Sequence, residues 1–378
     1  NTQDASLGNN FVPQQITQLP TDLRRVADLL SLQPGVTREG YVAGGRSDQA
    51  NVLLDGVDIN DQQNGGRTGQ FQTSQDTVLR ATAESVEEFR ITTSNPDASQ
   101  GRSSGAQISL ITRSGTNNFR GSLFYFYRPT AFSANNFFNN AAGVYTADEF
   151  VVQSGLFKAG EQKAPRPSLA RDIFGGSIGG PIIKDKLFFF YTYEGQRQQQ
   201  GVSVVRTVPM AHVGQGTLRF FGSGPSCTGG FCSVPLAELN NIYSEVGINP
   251  IAMQFLASAA QKYPVNDDTV GDGVNTGGYR FNSPTETEEN THITRLDYKL
   301  TDSQSLYFRA NFQRDHLTGT SQFPDTLAGT SWDHPWGMVA GHDWAINANM
   351  VNNFRYGFTR QAFSTTGDST DNTIFFRF

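Results

Sequence analysis

Charge and cysteine are both scarce in this chain, and each scarcity removes a class of protein. Charged residues make up 17% of the 378 residues, against roughly a quarter in ordinary soluble domains, so a charge-coated cytosolic enzyme, a coiled coil and a disordered acidic tail all fit poorly. The net charge is -6 and the pI is near 5.4. Nucleic-acid binding normally needs a basic face to neutralise phosphates, and this balance argues against it. No window approaches 18 consecutive apolar residues, so no transmembrane helix is expected. The chain opens on Asn1 with no charged-then-apolar leader and reads as mature or cut from something longer.

Catalytic signatures are missing too. His212, His292, His316, His334 and His342 form no close metal pair, and neither a Gly-x-Ser-x-Gly elbow nor a Walker loop occurs. No enzyme, catalytic residue, metal or cofactor is expected. The only two cysteines, Cys227 and Cys232, bracket Thr228-Gly229-Gly230-Phe231, where Gly-Gly lets the backbone turn tightly enough for the sulfurs to meet. A disulfide and an oxidising compartment are expected. Half a zinc site competes, but no second pair lies at ligand spacing; two free thiols is the weaker alternative.

What the chain has instead is aromatics, glycine and uncharged polar residues: 12% aromatic with 29 Phe, 39 Gly, and a mean hydropathy of -0.42 despite the low charge. Up to about residue 117 the pieces are short. A helix capped by Thr21 or Asp22 with Leu23, Val26, Leu29 and Leu30 on one face is predicted to end at Pro34-Gly35. Short strands are predicted at 41–43, 51–54, 89–93 and 107–112, while the polar first 20 residues look unsuited to any element. This is the pattern of a small α+β domain.

From Asn118 the strands lengthen and alternate. Leu306, Phe308, Ala310 and Phe312 face one way and Tyr307, Arg309, Asn311 and Gln313 the other. Phe354, Tyr356 and Phe358 stand against Asn353, Arg355 and Thr359; Thr294, Leu296, Tyr298 and Leu300 oppose Arg295, Asp297 and Lys299. Phe119, Gly121, Leu123, Tyr125 and Tyr127 share a face of the first strand. An aromatic-bearing apolar face opposite a charged one suits a lipid-facing strand with a watery lumen side, although a soluble sheet covered on one face would alternate too. Connection lengths separate the two. Tight turns at 184–186, 302–304 and 347–349 alternate with long connections at about 129–171, 198–290 and 315–336. Short turns on one side and long loops on the other mark an outer-membrane barrel.

Several motifs in order also resemble a known family. Gly44-Gly45-Arg46-Ser47-Asp48-Gln49 and Asn51-Val-Leu-Leu-Asp-Gly-Val-Asp58 resemble the plug motif of TonB-dependent outer-membrane receptors. So do Glu84-Ser85-Val86-Glu87-Glu88-Phe89, Gly101-Arg102 and Gly105 through Thr116. The run from Asn117 to Ser122 resembles entry into the first barrel strand; Gly175 through Tyr191, followed by Arg206-Thr-Val-Pro209, is similar to the Oar-like branch.

The resemblance implies a membrane β-barrel fragment, antiparallel and all-β, with an N-terminal α+β plug domain over 1–117 and about seven truncated barrel strands with long extracellular loops over 118–378. Plugs of this size fill barrels of about 22 strands, and an eight-stranded barrel has no room for one, so the chain is expected to be a fragment. The terminal Thr373-Ile-Phe-Phe-Arg-Phe378 reads as a strand cut mid-way. Implied function is energy-coupled ligand uptake across the bacterial outer membrane, with the TonB-ExbB-ExbD complex and outer-membrane lipid as partners; an adhesin or secretion component on the same scaffold is the alternative. The ligand is extracellular and of unknown class: glycan, peptide or metal chelate. No TonB box is convincing near Phe11, which places it before Asn1.

Candidate site residues follow from that architecture. Gln62, Gln63, Asn64, Arg67, Gln70 and Phe71, in the polar run from 60 to 75, are ligand-binding candidates at the plug apex, against a solvated Gly-rich loop. Arg46 and Arg102 are candidates for locking plug to wall, against simple solvation. Asp55, Asp58 and Asp61 lack EF-hand spacing and are expected in a turn, as is the stretch from Asn266 to Gly273. Asn249-Pro250 should start a helix with Ile251, Phe255, Leu256 and Ala259 in a stripe, preceded by a shorter helix carrying Leu236, Leu239 and Ile242. With the cysteine ring these helices would form a structured external lid.

Overall fold

Two sheets of opposite character organise the computed structural model, which describes residues 7–19, 50–61, 77–95, 101, 104–225, 227–228, 230–242 and 247–367, less 102–103 and 143–165, with scattered positions between 24 and 49. The first sheet comprises β1 (Leu7–Phe11), β2 (Asn51–Leu54), β3 (Val57–Asp58), β4 (Val86–Ser94) and β5 (Gln107–Thr112), in the order β1-β4-β5-β2-β3. Only the β2–β5 pair is parallel. Its core is apolar: Leu54, Val86, Phe89, Ile91 and Ile108 are buried, with Val26, Leu29 and Val42 packed in from the preceding segment. Most of the helix expected after Thr21 falls outside the described residues. The β2–β3 hairpin closes on Asp55-Gly56, both at positive φ (51° and 78°), the geometry that the two-residue primed turn demands.

The first 20 residues depart from expectation. They form β1 and the helix α1 (Pro13–Gln18), with Pro13 at the first helical position and the Gln15 side chain accepting from the Val12 N–H at 3.2 Å. Pairing decides this, not propensity: Phe11 stacks on Phe89 at 5.6 Å along the β1–β4 register, and Gly8 lies directly against the Ile91 carbonyl where no Cβ would fit.

The second sheet begins with β6 (Arg120–Pro129), passes the helix α2 (Phe137–Ala142), and continues through β7 (Leu169–Ile183) and β8 (Leu187–Pro209). A cap then intervenes: helix α3 (Ala211–Gly214), the small antiparallel sheet of β9 (Thr217–Phe221), β10 (Cys227–Thr228) and β11 (Phe231–Pro235), and helices α4 (Leu236–Ile242) and α5 (Pro250–Lys262). Asn249 caps α5 by accepting from Ile251 N and Ala252 N, as the sequence implies. The chain returns in β12 (Thr276–Thr301) and β13 (Gln304–Thr318), makes the short β14 (Thr330–Asp333), and finishes with β15 (Trp336–Asn347), β16 (Met350–Arg360) and β17 (Phe363–Thr366).

Seven of these strands run in strict sequence, β6-β7-β8-β12-β13-β15-β16, each antiparallel to the next; β14 and β17 pair with each other beside β13. The seven range from 10 residues in β6 to 26 in β12, enough to span a bilayer at a barrel's tilt. Among the described residues no helix is long and apolar enough to cross a membrane.

Burial is inverted relative to a soluble sheet. Leu123 is 91% exposed and Phe312 51%, and Phe308, Phe354 and Tyr356 are exposed with them, while Arg309 is 1% and Asn311 0% exposed. Water would penalise that arrangement by about 25 cal/mol for each Å² of apolar surface; a hydrocarbon exterior removes the penalty.

The tight turns fall where expected, but the longest connection does not. β8 and β12 stay paired from Leu187↔Tyr298 all the way to Pro209↔Thr276, so both ends of the predicted loop over 198–290 are ladder and the loop proper shrinks to 210–275. Val204 faces Phe281 and Val208 faces Gly277, both valines buried, so side-chain packing continues past the predicted strand end and the backbone groups stay paired in the ladder.

Candidate functional site

The wall's inner face closes on the N-terminal sheet along a polar seam, and the seam is built from three nodes. The first centres on Asp55 in the β2–β3 turn. Its carboxylate accepts from Thr112 N (2.9 Å), from Thr112 Oγ1 (2.9 Å) and from Arg309 Nε (3.1 Å), and Arg295 Nη1 stands 3.5 Å away. Arg309 also donates to the Leu54 carbonyl (3.2 Å), Arg295 to the Thr112 carbonyl (2.7 Å), and the Tyr307 hydroxyl to the Asp55 carbonyl (3.1 Å). The Arg295 guanidinium lies 5.0 Å over the Tyr307 ring, and Tyr307 in turn rests on Gly341, where a Cβ would meet the ring at 2.0 Å. Alternation along β13 carries Tyr307 and Arg309 to this face together, two residues apart.

Arg80 makes the second node. Its guanidinium donates to Asp315 Oδ2 (2.7 Å) and Thr291 Oγ1 (2.9 Å) and stands 3.5 Å from Glu289, while its carbonyl accepts from Asn311 Nδ2 (2.9 Å). Burial alone would lower the Arg80 pKa, but the carboxylates of Glu289 and Asp315 outweigh it and raise it, so the cation stays charged. The third node is Glu84, which pairs with Arg24 (3.3 Å), faces Arg113 (3.8 Å) and accepts from Ser122 of β6 (3.1 Å). Arg24 also stacks over Phe124 (5.0 Å) and Phe126 (4.4 Å), aromatics on the inward side of β6.

Between nodes the contact is close enough to need glycine. A Cβ at Gly357 would come within 2.4 Å of Val57, one at Gly337 within 2.5 Å of Leu79, and one at Gly115 within 2.3 Å of the Phe189 carbonyl. Gly115 also approaches the Gly180 carbonyl, so the end of the Gly175–Gly180 run does let the two parts meet. A cleft of about 610 Å³, lined by Glu87, Arg113, Gly115, Arg120, Phe190 and Arg295 among others, opens near the tight-turn end of the seam.

The sequence-derived site residues distribute unevenly over this picture. Gln62, Gln63, Asn64, Arg67, Gln70 and Phe71 lie outside the described residues, as do Arg46 and Arg102. What is described is the neck of that loop: Asn60 bridges Thr77, and Asp61 approaches Gln361 Nε2 at 3.5 Å. Cys227 and Cys232 are joined in a disulfide and face each other across β10–β11. Asp58 accepts from the Asn60 N–H as a turn residue should, whereas Asp55 does more than turn the chain. In the stretch from Asn266 to Gly273, Asp267 pairs with Arg280 and Asp272 accepts from Val274, Asn275 and Thr276. No group of His, Cys, Asp and Glu among the described residues is arranged to hold a metal ion.

Asp55 and Arg80 are the seam residues that sequence reasoning missed. A signal existed: alternation assigns Arg295 and Arg309 to the inner face, and a buried guanidinium requires a carboxylate partner.

Comparison with known proteins agrees with this geometry. Over 170 residues, 44% of this chain, it is 28% identical to the TonB-dependent transporter Oar of Myxococcus xanthus, covering 14% of that protein. Among solved structures, the outer membrane transporter YddB of Escherichia coli superposes with a TM-score of 0.50 at 12% identity, over 90% of this chain and 37% of that one. The siderophore receptor PirA of Acinetobacter baumannii gives 0.49 at 13% identity, over 94% and 40%. At such identities the structural likeness is one of fold, and the chain spans well under half of each relative's length. The family model for the outer membrane beta barrel domain matches residues 111–376, and this outer-membrane chain belongs to that family.

Proposed function

We propose that residues 1–117 are the plug and residues 118–378 the first barrel strands of a receptor that imports a ligand across the bacterial outer membrane, with energy drawn through TonB, ExbB and ExbD. The observation that carries this reading is the seam. A sheet with an apolar core is tied by Asp55, Arg80 and Glu84 to the inner face of strands whose outer face is apolar and exposed. An outer-membrane adhesin on the same scaffold has no need to move its plug, while an importer needs a removable block. The ties suit removal: they are polar and rewettable, whereas the plug's own core is apolar and would stay folded when it moves.

The ligand is proposed to meet the apex residues Gln62, Gln63, Asn64, Arg67, Gln70 and Phe71, whose loop is closed at its neck by the Asn60–Thr77 bridge. Arg46 and Arg102 remain proposed plug-to-wall contacts. The name of the Oar relative supports TonB coupling. To test it, cells expressing the receptor are given radiolabelled neutral oligosaccharides, peptides and ferric chelates. Uptake of one class should require both the receptor and TonB; uptake that persists unchanged without TonB would refute active import.

A further inference from the structure

The outward face of the wall carries a row of aromatic rings and, beyond it, arginines with no acid beside them. Phe174 meets Tyr193 at 6.1 Å, and Tyr193 meets His292 at 4.8 Å. His292 stands opposite Phe312, which reaches Trp336 at 6.5 Å, and Trp336 reaches Phe358 at 5.1 Å. Trp344 lies eight residues further along β15 toward the tight turns, which is about 27 Å of strand and roughly 20 Å of height at a barrel's tilt. Aromatic levels so spaced bound an apolar band, and the row from Phe174 to Phe358, at the long-loop end, marks the outer-leaflet interface.

Polar groups beyond the row are treated differently along its length. Over β6 to β12 they are satisfied internally: Arg197 is held by Glu288 at 2.8 Å, and the Tyr125 hydroxyl donates to Asp172. Over β13 to β16 they are not. Arg314 is exposed one outward position beyond Phe312, and Arg360 is exposed one beyond Phe358. The register, Asp315↔Asp333 on one side and Phe312↔Trp336 on the other, sets His334 beside Arg314, and Trp332 stands opposite His316. Among the described residues no carboxylate lies on the outward face of β13, β14, β15 or β16, and Glu288, opposite His316, is taken by Arg197. In a chain of net charge -6 composition does not account for an acid-free basic patch. By strand and residue spacing the Arg314 and Arg360 Cα atoms are roughly 12 Å apart, within reach of one headgroup for two arginine side chains.

We propose that this patch binds the phosphate of a lipid headgroup in the outer leaflet. Arg314 and Arg360 donate paired N–H groups to phosphate oxygens, and the phosphate supplies the negative charge that the wall itself omits. His316 and His334 add ring N–H donors, and Trp332 and Trp336 lie at headgroup level, where amphipathic rings are favoured. Snorkelling into water explains a single arginine at this height. It does not explain two of them on an acid-free face, because like charges repel until an anion comes between them. The inference needs only the barrel's place in the membrane and is independent of the plug, of TonB and of the imported ligand.

The test uses the full receptor, stripped of lipid in a neutral detergent and titrated in native mass spectrometry with three probes: bis-phosphorylated lipid A, the same lipid after phosphatase treatment, and inorganic phosphate. The phosphorylated lipid should bind and the dephosphorylated one should be lost, a comparison that needs no variant. Arg314→Gln and Arg360→Gln should each weaken binding about fivefold and together about twenty-fivefold, with Arg314→Lys recovering part of the loss. Heat-modifiable electrophoretic mobility checks that each variant barrel is folded. Arg355→Gln removes the same charge from the inner face of β16, where Arg355 lies against Gly56, and should leave lipid binding unchanged. Equal binding of the two lipid forms would overturn the patch, as would an undiminished double variant or an equal loss in Arg355→Gln. Saturation by inorganic phosphate that displaces the lipid would overturn the lipid as its occupant.

Discussion

Replacing Asp55 with Asn isolates the charge at the first node. The residue adopts φ 51°, a region Asn tolerates, and Asn matches Asp in shape, so the turn itself should survive. What changes is Arg309. It is 1% exposed, its Nη1 already lacks a partner, and Asp55 at 3.1 Å is its carboxylate. Arg295 is buffered because Asp297 holds it at 2.8 Å. Removing one partner of a buried pair costs about 3–5 kcal/mol because the other charge remains unpaired. Taking the lower end, the docked plug should lose about 3 kcal/mol, a hundredfold or more in the docking equilibrium. The assay is urea-driven plug opening followed by thiol labelling of Val339→Cys, since Val339 is 1% exposed on the inner face of β15, level with Arg309, and is uncovered when the plug leaves. Adding Arg309→Met to Asp55→Asn should restore much of the loss, with a coupling of about 2 kcal/mol or more in the double-mutant cycle. A single-mutant effect below about 0.5 kcal/mol, typical of an uninvolved surface position, would refute the reasoning, and so would strict additivity.

Other consequences can be measured on the same protein. Phe308→Arg, on the outward face of β13 and the fifth of its 15 residues, should cost about 2–4 kcal/mol of barrel stability in bilayers, read by denaturant unfolding into liposomes, while Phe308→Leu should stay near neutral. Reducing the Cys227–Cys232 disulfide should loosen the cap locally by about 2 kcal/mol, appearing as proteolysis within 217–235 with the wall intact. Asp272 lies on the cap side of β12, and burial would raise its pKa, but hydrogen bonds from Thr276, Val274 and Asn275 prevail and hold it below the usual aspartate range. Its contribution is therefore present at neutral pH and is lost as pH falls through that depressed value, so amide exchange at 273–276 should accelerate in acid, and Asp272→Asn should exchange quickly at every pH.

The wall was legible because its signal is local. Leu306, Phe308 and Phe312 announce one face within a few residues of each other, and the turn at 302–303 is visible as short polar chain between two such patterns. The same holds for α5, where cap, proline and stripe sit together. The seam was not legible because its partners are distant in sequence: Asp55 and Arg309 are 254 residues apart, and Arg80 and Asp315 are 235 apart. β1 was missed for a related reason. Leu-Gly-Asn-Asn-Phe has no strand pattern of its own and is ordered by pairing with β4. The upward extension of β8 and β12 escaped notice because Gln198, Gln199 and Gln200 read as loop, although the ladder continues through them.

The central claim, that the N-terminal unit sits against the inner wall and must move for transport, is tested most directly by tying the two together. Val57 of β3 and Gly357 of β16 touch, with a Cβ at Gly357 falling 2.9 Å from that of Val57, so Val57→Cys with Gly357→Cys should form a disulfide in native outer membranes once the two strands part by the roughly 0.6 Å that a disulfide's Cβ spacing needs. The account predicts a cross-linked receptor whose ligand uptake stops and returns on reduction. Failure of the pair to cross-link, or undiminished uptake by the fully cross-linked receptor, would contradict it.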